Sequence, residues 1–269
     1  MGPRNTADIL LTNDDGYSSI GFYPVLHELS RHHTVCAVAP ETQQSLVGKS
    51  ITAHNHLSVE ERLLEDLPIL TVSGTPADCV QLGLYHLLER KPAMVVSGIN
   101  LGVNLGHGYI LSSGTIGAAM EAAIDGVRAV AVSMHIPPDP EPRIDLFDRN
   151  NFPLYETAAA ITAKLVDILL NTELCNGFDL LSVNIPFDAT LGTEFEVTTP
   201  YRASYGRLFD RADGTFRISL PPARFESTVP GTDAHAVAAG RISITPLSLE
   251  LLVPQDTLRT LDRQLRNHW

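Results

Sequence analysis

Apolar residues along this chain fall in short blocks, each closed by polar or turn-forming residues. Ile9-Leu10-Leu11 is halted by Asn13-Asp14-Asp15-Gly16, the pattern of a buried strand that ends in a polar loop. After Gly21 the spacing of Phe22, Val25, Leu26 and Leu29 predicts a helix, and residues 34–39 predict a second strand stopped by Pro40. A polar stretch over 41–50 follows, and the weak, mixed periodicity of 51–68 suits a hairpin. Residues 69–72 predict a third strand. Ser73-Gly74-Thr75-Pro76 is a start signal for a helix carrying Val80, Leu84, Leu87 and Leu88. The rhythm then repeats: a strand at 93–96, a glycine-rich loop from Ser97 to Gly108, a helix opened by Ser113-Gly114-Thr115 and running to about Asp125, and a strand at 129–132.

Short apolar strands alternating with amphipathic helices imply a mostly parallel sheet covered on both faces, a doubly wound, Rossmann-like α/β core. A loop rich in proline (Pro137, Pro138, Pro140, Pro142) leads to a long helix at 154–170, and 180–184 reads as a further core strand. Beyond Pro186 the texture changes. Strand-like alternation at 194–198, 217–220 and 242–244 is broken by Gly and Pro, and no helical period returns until 257–265. We therefore expect a catalytic core over 1–186 and an extension over 187–269, made of β-hairpins or arms and one terminal helix.

With 269 residues, 44% of them hydrophobic, the chain buries a large core. A formal net charge of -12 leaves no general basic surface for a phosphate backbone, so duplex nucleic acid is a poor partner and any nucleotide must be met locally. Cys36, Cys79 and Cys175 are odd in number, far apart and without C-x-x-C spacing, which argues against a disulfide framework or a thiolate metal site and for a reducing cytoplasm. Residues 1–8 hold no apolar stretch suited to a signal peptide, and no apolar run reaches the roughly 18 residues of a membrane span.

In an open parallel sheet, ligands bind beyond the carboxyl ends of the strands, where loops and helix N-termini converge. The polar residues fall there: Asp14 and Asp15 after the first strand, Ser45 after the second, Asn100 after a later one, and Ser113-Gly114-Thr115 at a helix start. Adjacent carboxylates repel each other, and a hard divalent cation relieves that repulsion best. An all-oxygen set of Asp14, Asp15, Ser45 and Asn100 selects Mg²⁺ or Mn²⁺, with Ca²⁺ as a third choice, and leaves positions open for water and a phosphate oxygen. We expect one such ion per subunit, and take Asp14, Asp15 and Asn100 as the catalytic candidates. For phosphate the candidates are Ser113, Gly114 and Thr115, with Asn13 and Asn104 in the neighbouring loops. The bland alternatives are plain: acids after a strand often make turns, Ser or Thr at a helix start is usually only a cap, and the loop residues His107, Asp233 and His235 read as solvated.

Other nucleotide chemistries lack their motifs. Gly48-Lys49-Ser50 has Gln43 where a P-loop needs glycine, and no G-x-G-x-x-G follows the first strand. The D-x-D of haloacid-dehalogenase phosphatases is replaced by Asp14-Asp15. A receiver-type phosphoacceptor needs a separate acceptor Asp where this chain has Asn100, and is about half this size. A non-catalytic nucleotide-binding protein stays open at this level.

Several blocks in one order carry a resemblance. They are Leu10-Leu11-Thr12-Asn13-Asp14-Asp15-Gly16, Ser73-Gly74-Thr75-Pro76-Ala77-Asp78, Ser97-Gly98-Ile99-Asn100 with Gly102-x-Asn104-x-Gly106, Ser113-Gly114-Thr115 with Ala118-Ala119-Met120-Glu121, and Gly231-Thr232-Asp233 with Ser243-Ile244-Thr245-Pro246. Together they resemble the SurE (survival protein E) group of nucleotidases over nearly the whole chain. The resemblance implies hydrolysis of nucleoside 5′- and 3′-monophosphates and a divalent metal at positions matching Asp14, Asp15, Ser45 and Asn100. It also implies phosphate at the 113–115 turn, and a homodimer or homotetramer with exchanged C-terminal arms. Two features depart from the group's usual pattern, the Tyr17-Ser18-Ser19-Ile20-Gly21 step and His107.

Overall fold

The computed structural model describes residues 6–136, 145, 147–219, 229–250 and 255–266. The first βαβ unit is β1 (Ile9–Thr12), α1 (Phe22–Ser30) and β2 (Val35–Pro40), and the weakly patterned stretch that follows does form a hairpin, β3 (Val59–Leu64) with β4 (Leu67–Val72). Next come α2 (Pro76–Leu82), which continues into a wide turn over Gly83–Leu87, β5 (Met94–Leu101), α3 (Gly106–Ser112), α4 (Gly114–Ile124) and β6 (Arg128–Met134). Then follow α5 (Pro153–Asn171), β7 (Leu180–Ile185), β8 (Phe195–Val197), β9 (Phe209–Ala212), β10 (Thr215–Ile218), α6 (Asp233–Ala238), β11 (Ile242–Leu247) and α7 (Gln255–Arg266). The proline-rich loop at 137–142 lies outside the described residues.

Nine strands form one sheet in the order β3-β4-β2-β1-β5-β6-β7-β11-β8. The six from β4 to β7 run parallel, while β3 and β11 are antiparallel to their inner neighbours. The doubly wound, mostly parallel core expected from the alternation is present. Side chains alternate between its faces, as a period of two requires. Ile9, Leu11, Val96 and Val132 pack under α1 and α5, whereas Leu10, Val38, Val95 and Ala131 pack under α2 and α4. Both faces are dry, which is why these strands read as unbroken apolar runs.

The change of texture at Pro186 falls inside this sheet. β11 returns from the C-terminal segment and pairs with β7 over Leu180–Asn184, and β8 adds beside it. Among the described residues, β9 and β10 form a separate two-stranded ribbon. Two short helices escape the periodicity. α3 lies where the glycine loop predicts only coil, and α6 lies in the segment expected to hold no helix. At seven and six residues they are too short to display a 3.6-residue repeat, and α6 is defined chiefly by its cap, Thr232, whose side chain accepts from the His235 backbone N–H.

Local chemistry fixes the framework around the strand ends. Thr75 and Asp78 form a reciprocal capping box at α2, with Pro76 in the first turn. The same buried Asp78 carboxylate accepts from the Thr52 backbone N–H at 3.0 Å and the Thr52 hydroxyl at 2.6 Å, tying the 41–52 loop to that helix.

Candidate active site

The acidic pair leaves β1 at the centre of the sheet, beside β2 and β5, the position where a doubly wound sheet opens a crevice. Asn13 closes the turn beneath it. Its Nδ2 donates to the Gly16 carbonyl at 2.9 Å and to Ser19 Oγ at 3.0 Å, and it is fully buried, so it supports the loop rather than facing a ligand.

Three other loops converge on the pair. From the loop after β2, the Gln44 backbone N–H donates to the Asp14 carbonyl at 2.7 Å, and Gln43 Nε2 donates to Asp15 Oδ1 at 3.3 Å; Ser45 is the next, exposed residue. From β5, the Leu101 backbone N–H donates to Asp15 Oδ2 at 2.8 Å, with Asn100 just before it. Asn100 Nδ2 donates to the Gly102 carbonyl at 2.8 Å. From α4, Thr115 Oγ1 donates to Asp14 Oδ1 at 2.6 Å. Asp14, Asp15, Ser45 and Asn100 are thus drawn to one place by bonds to them or to their immediate neighbours.

Two glycines make this approach possible. The register of β5 on β6 shifts between Ser97 and Asn100, and Gly98 sits in that bulge at φ +139°, where a Cβ would lie 2.3 Å from the Val132 carbonyl oxygen. A Cβ on Gly114 would lie 2.7 Å from Asp14 Cβ. The helix start and the acid therefore touch only because residue 114 has no side chain.

Electrostatics favour a cation here. Burial, together with the Asp14 charge, pushes the Asp15 carboxyl up to about 8. Burial also raises Asp14, opposed by the Thr115 hydroxyl and by the backbone N–H groups of Thr115, Asp14 itself and Gly114. Two carboxylates out of water, each held by donors, are costly as a bare ionised pair and become stable once a positive charge joins them. Asn13 Oδ1 is a further buried oxygen with no hydrogen-bond partner among the described residues. Those residues include no group of three His, Cys, Asp or Glu side chains suited to a metal. Any cation held beside the acidic pair would therefore need neutral oxygens to complete its shell.

The phosphate candidates have mixed surroundings. Ser113 caps α4, its Oγ accepting from the Ile116 N–H at 3.2 Å, and Thr115 is bonded to Asp14, so both hydroxyls are engaged. Asn104 is buried; its Nδ2 donates to Ser133 Oγ at 2.9 Å and its backbone N–H to Asn184 Oδ1 at 2.8 Å, which pins the glycine loop to β6 and β7. The Gly114 and Thr115 backbone N–H groups also bear on Asp14, so this helix start serves the acid directly.

Sequence reasoning missed three contributors. Gln43 carries no motif that marks it. Tyr155 of α5 is buried beside the acidic loop and reads in sequence as one more core aromatic. Asp233 reads as a solvated loop acid, yet it is fully buried, and its carboxylate accepts from the backbone N–H groups of Gly106 at 2.7 Å, Tyr201 at 2.8 Å and Ala234 at 2.7 Å. The clue was the Thr232-Asp233 pair, a helix cap followed by an acid in the first turn. His107, on the exposed side of α3, points Nδ1 at the Tyr201 carbonyl, 3.0 Å away.

The model of the family described as Survival protein SurE matches residues 9–207. The chain belongs to the SurE family. A 5′-nucleotidase SurE of Methanocella arvoryzae is 38% identical over 98% of this chain and 100% of its own length. Its counterpart in Methanocaldococcus jannaschii is also 38% identical, over 95% of each chain. The crystal structure of the SurE protein from Aquifex aeolicus superposes with a TM-score of 0.76 at 32% identity, covering 96% of this chain and 99% of that one. This SurE-family chain carries its acidic pair, bulge and helix start within the matched span.

Proposed function

We propose that this protein is a metal-dependent phosphatase that hydrolyses nucleoside monophosphates, 5′ and also 3′, to nucleoside and phosphate. The observation that carries the reading is the buried Asp14-Asp15 pair at the end of β1, held between the strand that delivers Asn100 and the start of α4. The homologues named 5′-nucleotidase supply the substrate class.

Asp14, Asp15, Ser45 and Asn100 would hold one Mg²⁺ or Mn²⁺ per subunit. When bound, the ion supplies Lewis-acid charge to the phosphoryl group and makes water a better nucleophile. The chain's own groups do the rest. The Gly114 and Thr115 backbone N–H groups hold Asp14, and the positive end of this 11-residue helix favours the phosphoryl charge that develops beside them. Asp14 orients the attacking water and takes its proton, and the Thr115 hydroxyl keeps the carboxylate turned toward that water. The three cysteines are unpaired, Cys36 and Cys79 in the core and Cys175 exposed, which suits a reducing cytoplasm. No helix among the described residues is long and apolar enough to cross a membrane. The subunit works as a homodimer or homotetramer through its C-terminal arms.

Phosphate release from a panel of nucleoside monophosphates and p-nitrophenyl phosphate, with Mn²⁺, Mg²⁺ or chelator, tests the reading against Asp15→Asn. We expect release only with metal and a loss of at least ~10²-fold in the variant. A folded wild type that releases nothing, while retaining bound nucleotide in the presence of metal, supports instead a binding protein.

A further inference from the structure

Tyr155, in the first turn of α5, is the largest fully buried side chain among the described residues. Its ring belongs to the apolar cluster under α1 and α5, but its hydroxyl has no hydrogen-bond partner among the described residues. A buried O–H without an acceptor costs stability, and phenylalanine would fill the same space without that cost. The hydroxyl therefore calls for a partner that is not a protein side chain.

Its position narrows the choice. The ring's Cε1, next to the hydroxyl-bearing carbon, lies 3.2 Å from the point where a side chain on Gly21 would begin, and the Ile99 carbonyl oxygen lies 2.2 Å from that same point. Gly21 ends the acidic loop, and Ile99 precedes Asn100. The phenol thus lies behind the crevice, under the junction of the two loops that carry Asp15 and Asn100. Burial, and then the charge of Asp15, raise its pKa, so it stays a proton donor. Asn13 Oδ1, whose amide is bonded to the turn that enters α1, is a buried acceptor that lacks a donor. The open phenol O–H, the Asp15 charge that reaches it and an open acceptor two residues before Asp15 in the same loop are the kinds of polar group that a buried water needs.

We propose that Tyr155 is a positioning residue for the acidic pair: its hydroxyl holds one buried water against the Asp15 carboxylate, with Asn13 Oδ1 as the water's other acceptor, and so fixes the orientation in which Asp15 meets a divalent cation. The front of Asp15 is restrained by the Leu101 N–H and by Gln43, and the water restrains it from behind. Groups of this kind, bonded to a ligand rather than to the ion, tune metal affinity because they set the ligand's geometry.

The inference rests on the cation-site reading above, and the test separates the two. Mn²⁺ is titrated into metal-free wild type, Tyr155→Phe and Phe22→Leu, free ion is followed by electron paramagnetic resonance, and melting of each metal-free protein is recorded. We expect Tyr155→Phe to melt at or above the wild-type temperature yet bind Mn²⁺ about tenfold more weakly. Phe22→Leu, an apolar change in the same cluster, is expected to melt lower with unchanged Mn²⁺ affinity. Equal Mn²⁺ binding by wild type and Tyr155→Phe overturns the proposal alone, as does an equal weakening in Phe22→Leu. A wild type that binds no Mn²⁺ overturns the cation-site reading and the proposal with it.

Discussion

A carboxyl raised to about 8 in the folded protein, against ~3.9 in an unfolded chain, ties stability to pH. Between those two values the folded state keeps the Asp15 proton and the unfolded chain does not. The metal-free protein is therefore most stable in this respect below the lower value, and loses that contribution as pH rises toward the upper one. A divalent cation competes with the proton and reverses the trend. We expect the melting temperature of chelated protein to fall from about pH 5 to about pH 8, and the increment added by Mn²⁺ to grow over the same interval. A Mn²⁺ increment independent of pH would show that the pair ionises freely without metal. At this scale the acids were legible in sequence because adjacent carboxylates after an apolar run are costly unless something answers their charge. What answers each oxygen was not legible: that Thr115 would turn to Asp14, and Asn104 to Ser133, depends on contacts across 101 and 29 residues.

Among the elements, the short ones carry the least pattern and hold the site's outer wall. α3 and α6 are linked through Asp233, whose three accepted N–H bonds join the glycine loop, the chain at Tyr201 and the first turn of α6. Replacing it with alanine leaves two N–H groups of other segments without their acceptor in a buried place. We expect Asp233→Ala to lower stability by about 3 kcal/mol in denaturant unfolding, and to speed hydrogen exchange at Gly106 and Tyr201 before the β1 and β5 amides. Uniform acceleration across the sheet would mean that Asp233 supports the core and not this wall. The long helices and parallel strands, by contrast, were legible because burial on both faces writes itself as apolar runs, and α5 repeats its stripe through 19 residues.

At the scale of the whole molecule, the expected sheet is there, but its last two strands come from a segment whose broken alternation suggested separate arms. β8 is the edge strand and β11 lies just inside it, both only partly buried, so the pattern of a doubly buried strand is lost. The same segment exposes Phe195 and Val197 on β8, Phe209, Phe216 and Ile218 on the β9–β10 ribbon, and Leu258, Leu261 and Leu265 on α7. α7 packs no residue into the core, and its leucines fall three and four apart, one stripe on an otherwise polar helix. A helix of that composition is marginal in water unless its stripe is covered. With the subunit at net charge -12, attraction between copies has to come from such apolar surface. The homo-oligomer proposed above would set a second copy of the chain against this surface. We expect light scattering to give a multiple of 29.2 kDa for the wild type and a smaller mass for the combined Leu258→Glu, Leu261→Glu and Leu265→Glu protein. If the wild type runs at the single-chain mass, the arms serve another purpose. If only the variant does, phosphate release by that monomer decides whether the crevice around Asp14 and Asp15 is complete within one subunit, as the bonds from Gln43, Leu101 and Thr115 require.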